Sequence, residues 1–278
     1  MIATLQRTPI GRFSLEVARN TLQAAGLSPS VLTGALVWNR LEEEPYLRSL
    51  VAAMTDEQAR VHFGADEILE AEHLRRGVRF FHAWRVFMLR QRIGTRLSAA
   101  QILDVGDTDG LMLKHLGKSG LGFNLSPAAV RNIQSNGVQA LRSDGHGLPF
   151  ADNSFDYVLC FEMLEHVESP HAVLTELARV CKPDGRLFIS IPWVPRTFIH
   201  PRNPTTPRGS MHCFEFCRDD FAALVSHTPL AIRWEAVCDI LGRPQTLVRH
   251  AFLRLQRNQH IVGGTFRRFQ FFELSFAE

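Results

Sequence analysis

Between residues 101 and 192 the apolar and polar positions fall into a repeating unit: a short apolar run, a turn, then a helical run. Ile102 to Val105 is an apolar run broken only by Asp104. Gly106-Asp-Thr-Asp-Gly110 follows as a turn, and Leu111, Leu113 and Leu116 then recur as on a helix. Further strand-like runs lie at Leu121–Asn124, Val138–Arg142, Phe155–Phe161 and Arg186–Ile191. Ser169-Pro170 caps a helix running through Val180, and Gly185 turns the chain into the last of these strands. Strands alternating with helices in this order are what a parallel α/β sheet requires. Gly106 and Gly110 accept positive φ and let the backbone approach a ligand. The N–H groups that open the next helix add donors and partial positive charge, so the turn reads as a cradle of nucleotide type.

The flanks have a different pattern. Residues 1–98 lack the strand rhythm and predict a helical extension: Ser14–Ala25 closed by Gly26, a run from Ser28-Pro29 to about Leu41, and a capping box at Thr55 and Gln58. A long helix follows from Asp66 to about Ile93, interrupted by Gly77 and ended by Gly94. Its first half is acidic and its second half arginine-rich, which suits the macrodipole. Phe80, Phe81, Trp84, Phe87 and Met88 form an apolar stripe among these arginines. Two readings stand: a helix packed on the neighbouring domain with a solvated basic face, or a helix at a membrane interface. Residues 99–278 form the second predicted domain. Within it, 193–217 is too irregular for an element and reads as a lid or substrate loop, and 242–267 reads as a helical insertion carrying Arg249, Arg254 and Arg257. The last two strands, antiparallel, are predicted at Ile232–Leu241 and Phe269–Phe276. Arg218-Asp-Asp-Phe221 opens the helix before them.

Composition narrows the function classes. With 278 residues and 45% hydrophobic content the chain can build a large core, and a net charge of +3 gives no reason to expect a nucleic-acid partner. The five cysteines are odd in number and mostly embedded in apolar runs, as expected of reduced thiols in a cytoplasmic chain. Cys213 and Cys217 beside His212 offer half of a zinc site, but no second ligand pair stands at suitable spacing. No run approaches membrane-spanning length.

Three motifs then carry a resemblance. Leu148-Pro-Phe-Ala-Asp-Asn-Ser-Phe-Asp-Tyr-Val158, Glu162-Met-Leu-Glu-His-Val167 and Leu177-Ala-Arg-Val-Cys-Lys-Pro-Asp-Gly185, following the Asp104-Val-Gly106 turn, resemble the core of class I S-adenosylmethionine-dependent methyltransferases. They are closest to the type that includes ubiquinone-pathway and small-molecule methylating enzymes. The resemblance implies a Rossmann-like, seven-stranded, mostly parallel sheet with a final antiparallel strand. It places S-adenosylmethionine against Asp104, Gly106, Asp107, Thr108, Asp109 and Gly110 of the first turn. It adds Asn124 and Leu125 after the second strand, Asp144, Gly145 and His146 after the third, and Phe161 and Glu162 at the end of the fourth. Two positions depart from the family. Thr108 stands where a second glycine is usual, and Asn124 replaces the acid that accepts both ribose hydroxyls, which removes the charge-assisted part of that contact. Asp107 and Asp109, if turned inward, would attract the methionyl ammonium or the sulfonium.

Methyl transfer from a sulfonium uses an already activated donor, so the protein mainly aligns the acceptor and removes its proton. His166 and His212 are the candidate bases, because imidazole titrates near neutrality. The resemblance also permits a divalent ion on Glu162, Glu165, His166 and His212, since a similar Glu-x-x-Glu-His motif binds one in some relatives. In others the same residues cap a helix and order a loop. The expected acceptor is a small or amphipathic molecule methylated at oxygen, with transient membrane-surface contact through the aromatic helix and the acid-free stretch Ile240–Phe272. The alternative is a chain that keeps the fold, has lost catalysis and serves as a binding or assembly partner.

Overall fold

The computed structural model describes residue 49 and residues 72–117, 120–194, 196–200, 212–239 and 268–277. Helix α1 (Glu72–Ile93) leads through a 3₁₀ turn (Gly94–Ala99) into β1 (Ile102–Val105), α2 (Leu111–Leu116), β2 (Leu121–Asn124), α3 (Pro127–Ser135) and β3 (Gln139–Arg142). The chain continues through β4 (Phe155–Phe161), a 3₁₀ turn at Leu164–His166, α4 (Pro170–Val180) and β5 (Cys181–Pro192). Two short strands, β6 (Phe198–Ile199) and β7 (Phe214–Glu215), precede α5 (Arg218–Ser226), β8 (Leu230–Asp239) and β9 (Arg268–Phe276). The seven long strands form one sheet of order β3-β2-β1-β4-β5-β9-β8. Strands β1 to β5 pair in parallel, and β9 runs antiparallel to both neighbours. This is the sheet expected from the sequence.

Its central strands β1 and β4 are largely buried on both faces because both faces are covered there. Along β4, Val158 and Cys160 join the core cluster with Val173, Leu174 and Leu177 of α4, while the alternate Tyr157 and Leu159 are buried on the opposite face. Ser169 occupies the N-cap of α4 without a side-chain capping bond; Pro170 at the first helical position does the local work. Arg179 fastens the preceding turn: its guanidinium donates to Phe150 O, Leu148 O, Asp152 and Glu176. Strand β5 begins at Cys181, earlier than the pattern suggested, because Phe155 pairs with Cys181 before a register shift. Gly185 is required inside it, since a Cβ there would lie 2.8 Å from both Asp156 O and Cys181 Sγ.

Helix α1 corrects the sequence reading twice. It runs unbroken through Gly77 and ends at Gly94, whose φ is +65°. Its aromatic stripe is a packing surface: Phe81 lies 4.8 Å from Phe269 and 5.6 Å from Phe271 between ring centroids, and Trp84 lies 4.6 Å from Phe271. Phe81, Trp84 and Met88 are buried, so these three side chains pack within the protein, as the first of the two readings has it. The basic face is not simply solvated. Arg85 is buried, Arg90 donates to the carbonyls of His115 and Leu116, and Arg92 pairs at 2.5 Å with the buried Glu273, which Arg186 also reaches. The predicted helices at 14–25 and 28–41, the capping box at Thr55, the start of the long helix at 66–71 and the insertion at 242–267 with its arginines lie outside the described residues. The same is true of 201–211 in the predicted lid. The base of that lid, read as structureless, holds the β6–β7 pair, with Phe198 opposite Glu215 and Ile199 opposite Phe214. No described helix is long and apolar enough to cross a membrane.

Candidate active site

The carboxyl ends of β1, β2 and β3 carry one half of a crevice, and the end of β4 with the β6–β7 pair carries the other. After β1 the chain reverses at Gly106 (φ +88°) and Gly110 (φ +73°). The turn between them is braced by its own acids: Asp107 Oδ1 accepts from the N–H groups of Asp109 and Gly110, and Asp109 Oδ1 accepts from Leu111 N. Both side chains are buried. Through these Oδ1 atoms they cap the turn and the start of α2. Thr108 between them is half-buried.

Asn124 is also committed to the protein. Its Nδ2 donates to Asp107 O at 2.7 Å and its Oδ1 accepts from Ser126 N at 2.8 Å, tying the end of β2 to the β1 turn. The amide thus braces the β1 turn, while its oxygen keeps a second lone pair for a ribose hydroxyl. Beside it Leu125 is 45% exposed, an apolar surface on which a flat base can lie. At the end of β3, Asp144 is exposed; its Oδ1 is 2.7 Å from His146 Nδ1 and accepts from His146 N. Gly145 is buried against Met163, whose Cε would lie 2.7 Å from a Cβ there. The adenine side of the cradle thus has an apolar face and a carboxylate, and fits S-adenosylmethionine; its ribose side departs from the family pattern at Asn124.

The other half carries the strain. Glu162, directly after β4, has φ +47°, a left-handed conformation that a non-glycine residue holds only when its surroundings impose it. Ser190 Oγ donates to its Oε1, and Arg85 Nη1 donates to its Oε2 at 2.6 Å. The Arg85 guanidinium also lies over the Phe161 ring, 5.4 Å from its centroid. Asp104 is buried behind the pair, and burial, then Asp107, push its carboxyl well above the usual range, with Arg85 opposing. Arg85 was missed as a site residue and read only as one of a basic series. The usable signal was its place on the buried face, four residues after Phe81 and three before Met88.

The 3₁₀ turn after Glu162 presents Glu165 and His166, and the lid base brings His212 to them. Cys213 N donates to Glu165 O and His200 N donates to Cys213 O, so the β6–β7 pair is fastened onto the turn. The His166 and His212 rings meet edge to face, 4.8 Å between centroids. One ligand atom from each of Glu165, His166 and His212 lies within 4.8 Å of the others. Glu165 is buried, and its Oε2 has no hydrogen-bond partner among the described residues. Burial, then Glu162, raise its carboxyl well above the usual range. Three of the four proposed ion ligands therefore converge, while Glu162 is taken up by Arg85 and Ser190. Cys213 and Cys217 stand outside this set; their thiols face His166 O and Asp220.

A parallel sheet with a glycine turn after β1, helices on both faces and an antiparallel β9 is the architecture of class I methyltransferases. Residues 103–189 match the family model described as a methyltransferase domain. Residues 103–189 thus carry the methyltransferase domain that this model describes. Among curated proteins, a ubiquinone biosynthesis O-methyltransferase of Xanthomonas oryzae pv. oryzae is 34% identical over 104 residues, covering 34% of this chain and 44% of that protein. A demethylmenaquinone methyltransferase of Renibacterium salmoninarum is 30% identical over 156 residues, covering 54% and 60%. The chain thus spans about half the length of these curated relatives. The solved structure of a Burkholderia thailandensis 1,6-didemethyltoxoflavin-N1-methyltransferase, with 1,6-didemethyltoxoflavin and S-adenosylhomocysteine bound, superposes with a TM-score of 0.51. That match has 16% identity and covers 84% of this chain and 91% of that one. It is a likeness of fold.

Proposed function

We propose that the chain transfers a methyl group from S-adenosylmethionine to an oxygen of a small or lipid-like acceptor. The observation that carries this reading is the convergence of Glu165, His166 and His212 at the carboxyl end of β4, one strand from the Gly106 turn. The names of the curated relatives, which include quinone-pathway methyltransferases, agree with a small acceptor. The exposed Trp193 and Ile199, on the segment that follows β5, suit an acceptor with an apolar portion.

When bound, S-adenosylmethionine supplies a methyl group already activated on a sulfonium. The chain's own residues divide the remaining work. Leu125 and Asp144 hold the adenine, the former by its exposed face and the latter by its carboxylate. Glu162 and Arg85 fix the floor between the two halves of the crevice. The imidazoles of His166 and His212 orient the acceptor hydroxyl and receive its proton. Glu165 favours a second version of this step. A buried carboxylate with an unpartnered oxygen beside two imidazoles is a donor set that would hold a divalent ion, and such an ion lowers the pKa of a coordinated hydroxyl.

Titration calorimetry with S-adenosylhomocysteine tests the reading. Saturable binding is expected. No heat at millimolar ligand would remove the enzyme and leave the fold as a binding or assembly module.

A further inference from the structure

The group of Glu165, His166 and His212 has an outer partner that its motif does not contain. Glu215 sits on β7 between Phe214 and Phe216, and the pairing of β7 with β6 fixes where its carboxylate goes. Its Oε1 lies 2.9 Å from His212 Nδ1 and 3.7 Å from His200 Nε2, so one carboxylate oxygen stands between two imidazoles. A carboxylate at Nδ1 selects the tautomer in which Nδ1 carries the proton, which leaves the Nε2 lone pair of His212 as its ligating atom. Glu215 is half-buried, and the strand holding it is locked to the 3₁₀ turn through Cys213 N and Glu165 O. The backbone that carries Glu215 is therefore the same backbone that brings His212 to Glu165.

We propose that Glu215 is the positioning residue of a divalent transition-metal site formed by Glu165, His166 and His212. It orients His212 through Nδ1. This rests on the ion-holding version of the step given above, and adds to it a residue and a metal class. Two imidazoles and one carboxylate suit Mn²⁺ or Zn²⁺ better than Mg²⁺, which prefers oxygen ligands and retains its waters. Three protein ligands leave a coordination position for an acceptor oxygen. The Oε2 of the buried Glu165, without a hydrogen-bond partner among the described residues, is a further observation that a cation on this group would answer.

The test is calorimetric titration of the full chain with MnCl2 and, separately, with MgCl2, for the native protein and for Glu215→Gln. The native chain is expected to bind Mn²⁺ at least tenfold more tightly than Mg²⁺. Glu215→Gln should weaken Mn²⁺ by roughly 10- to 100-fold, as loss of an outer carboxylate does elsewhere, with S-adenosylhomocysteine binding unchanged. Equal Mn²⁺ affinity in native and Glu215→Gln protein overturns the role of Glu215 while leaving the ion-holding group intact. Absence of Mn²⁺ binding in the native chain overturns both, and retained S-adenosylhomocysteine binding then shows that the methyltransferase reading survives. Should Glu215→Gln fail to fold, electron spin-echo modulation of Mn²⁺ on the native chain decides. Coupling to two imidazole nitrogens is expected, and no nitrogen coupling overturns the site.

Discussion

The two halves of the crevice handle polar groups in opposite ways. On the cofactor side, Asp107, Asp109 and Asn124 spend their hydrogen bonds on the backbone of the β1 turn and the start of the following helices. On the acceptor side, Glu162 is held in a left-handed conformation by two partners and Glu165 keeps a buried oxygen without one. The first half braces the β1 turn with its own side chains. The second holds a left-handed residue and a buried carboxyl oxygen without a hydrogen-bond partner among the described residues.

The largest effect is expected from breaking the strained member of this contrast. Glu162→Ala leaves the Arg85 guanidinium, 4% exposed in its side chain, without its 2.6 Å partner, and about 3 kcal/mol of stability should be lost in urea unfolding. A loss below about 1 kcal/mol would mean that Asp104 alone satisfies Arg85. On the scaffold side, Gly106→Ala forces a Cβ onto a residue at φ +88°, 2.8 Å from Met163 Cβ. Roughly 2 kcal/mol is expected from the conformation and the contact together, with a matching fall in S-adenosylhomocysteine affinity. Full retention of affinity would show that the turn does not shape the cradle. The smallest change sharpens the contrast. Thr108→Gly with Asn124→Asp breaks the internal bond to Asp107 O but restores a charged ribose acceptor, and should tighten S-adenosylhomocysteine by about 1 kcal/mol. If the native chain already binds and the double change adds nothing, the reading of a degenerate cofactor site fails.

The sheet was legible because each of its strands is a local apolar run bounded by turn residues, and because a strand covered on both faces leaves a continuous hydrophobic signature. Leu121–Asn124 and Phe155–Phe161 have the bounds read from sequence alone. Glu165, His166 and His212 were legible as residue types, and the fold brings them together. What escaped depends on distant contacts. Arg85 looks like its neighbours Arg79 and Arg90 until Glu162, far along the chain, makes it a site residue. Glu215 is one acid between two phenylalanines, and only the β6–β7 register turns it toward His212. The bond from Asn124 to Asp107 O escaped too, because it joins β2 to the backbone of a turn that no periodicity describes.

The seating of α1 on β9 also imposes an order on synthesis. Strands β1 to β5 and their helices are contiguous in sequence and can pair as they emerge from the ribosome, but Phe81 and Trp84 have their aromatic partners in Phe269 and Phe271. Until β9 has been translated and has slotted between β5 and β8, the helix carrying Arg85 lacks these ring contacts. The nascent chain therefore exposes an apolar helix and an incomplete crevice throughout most of its elongation, a period in which a chaperone has more to bind than it does in the finished protein.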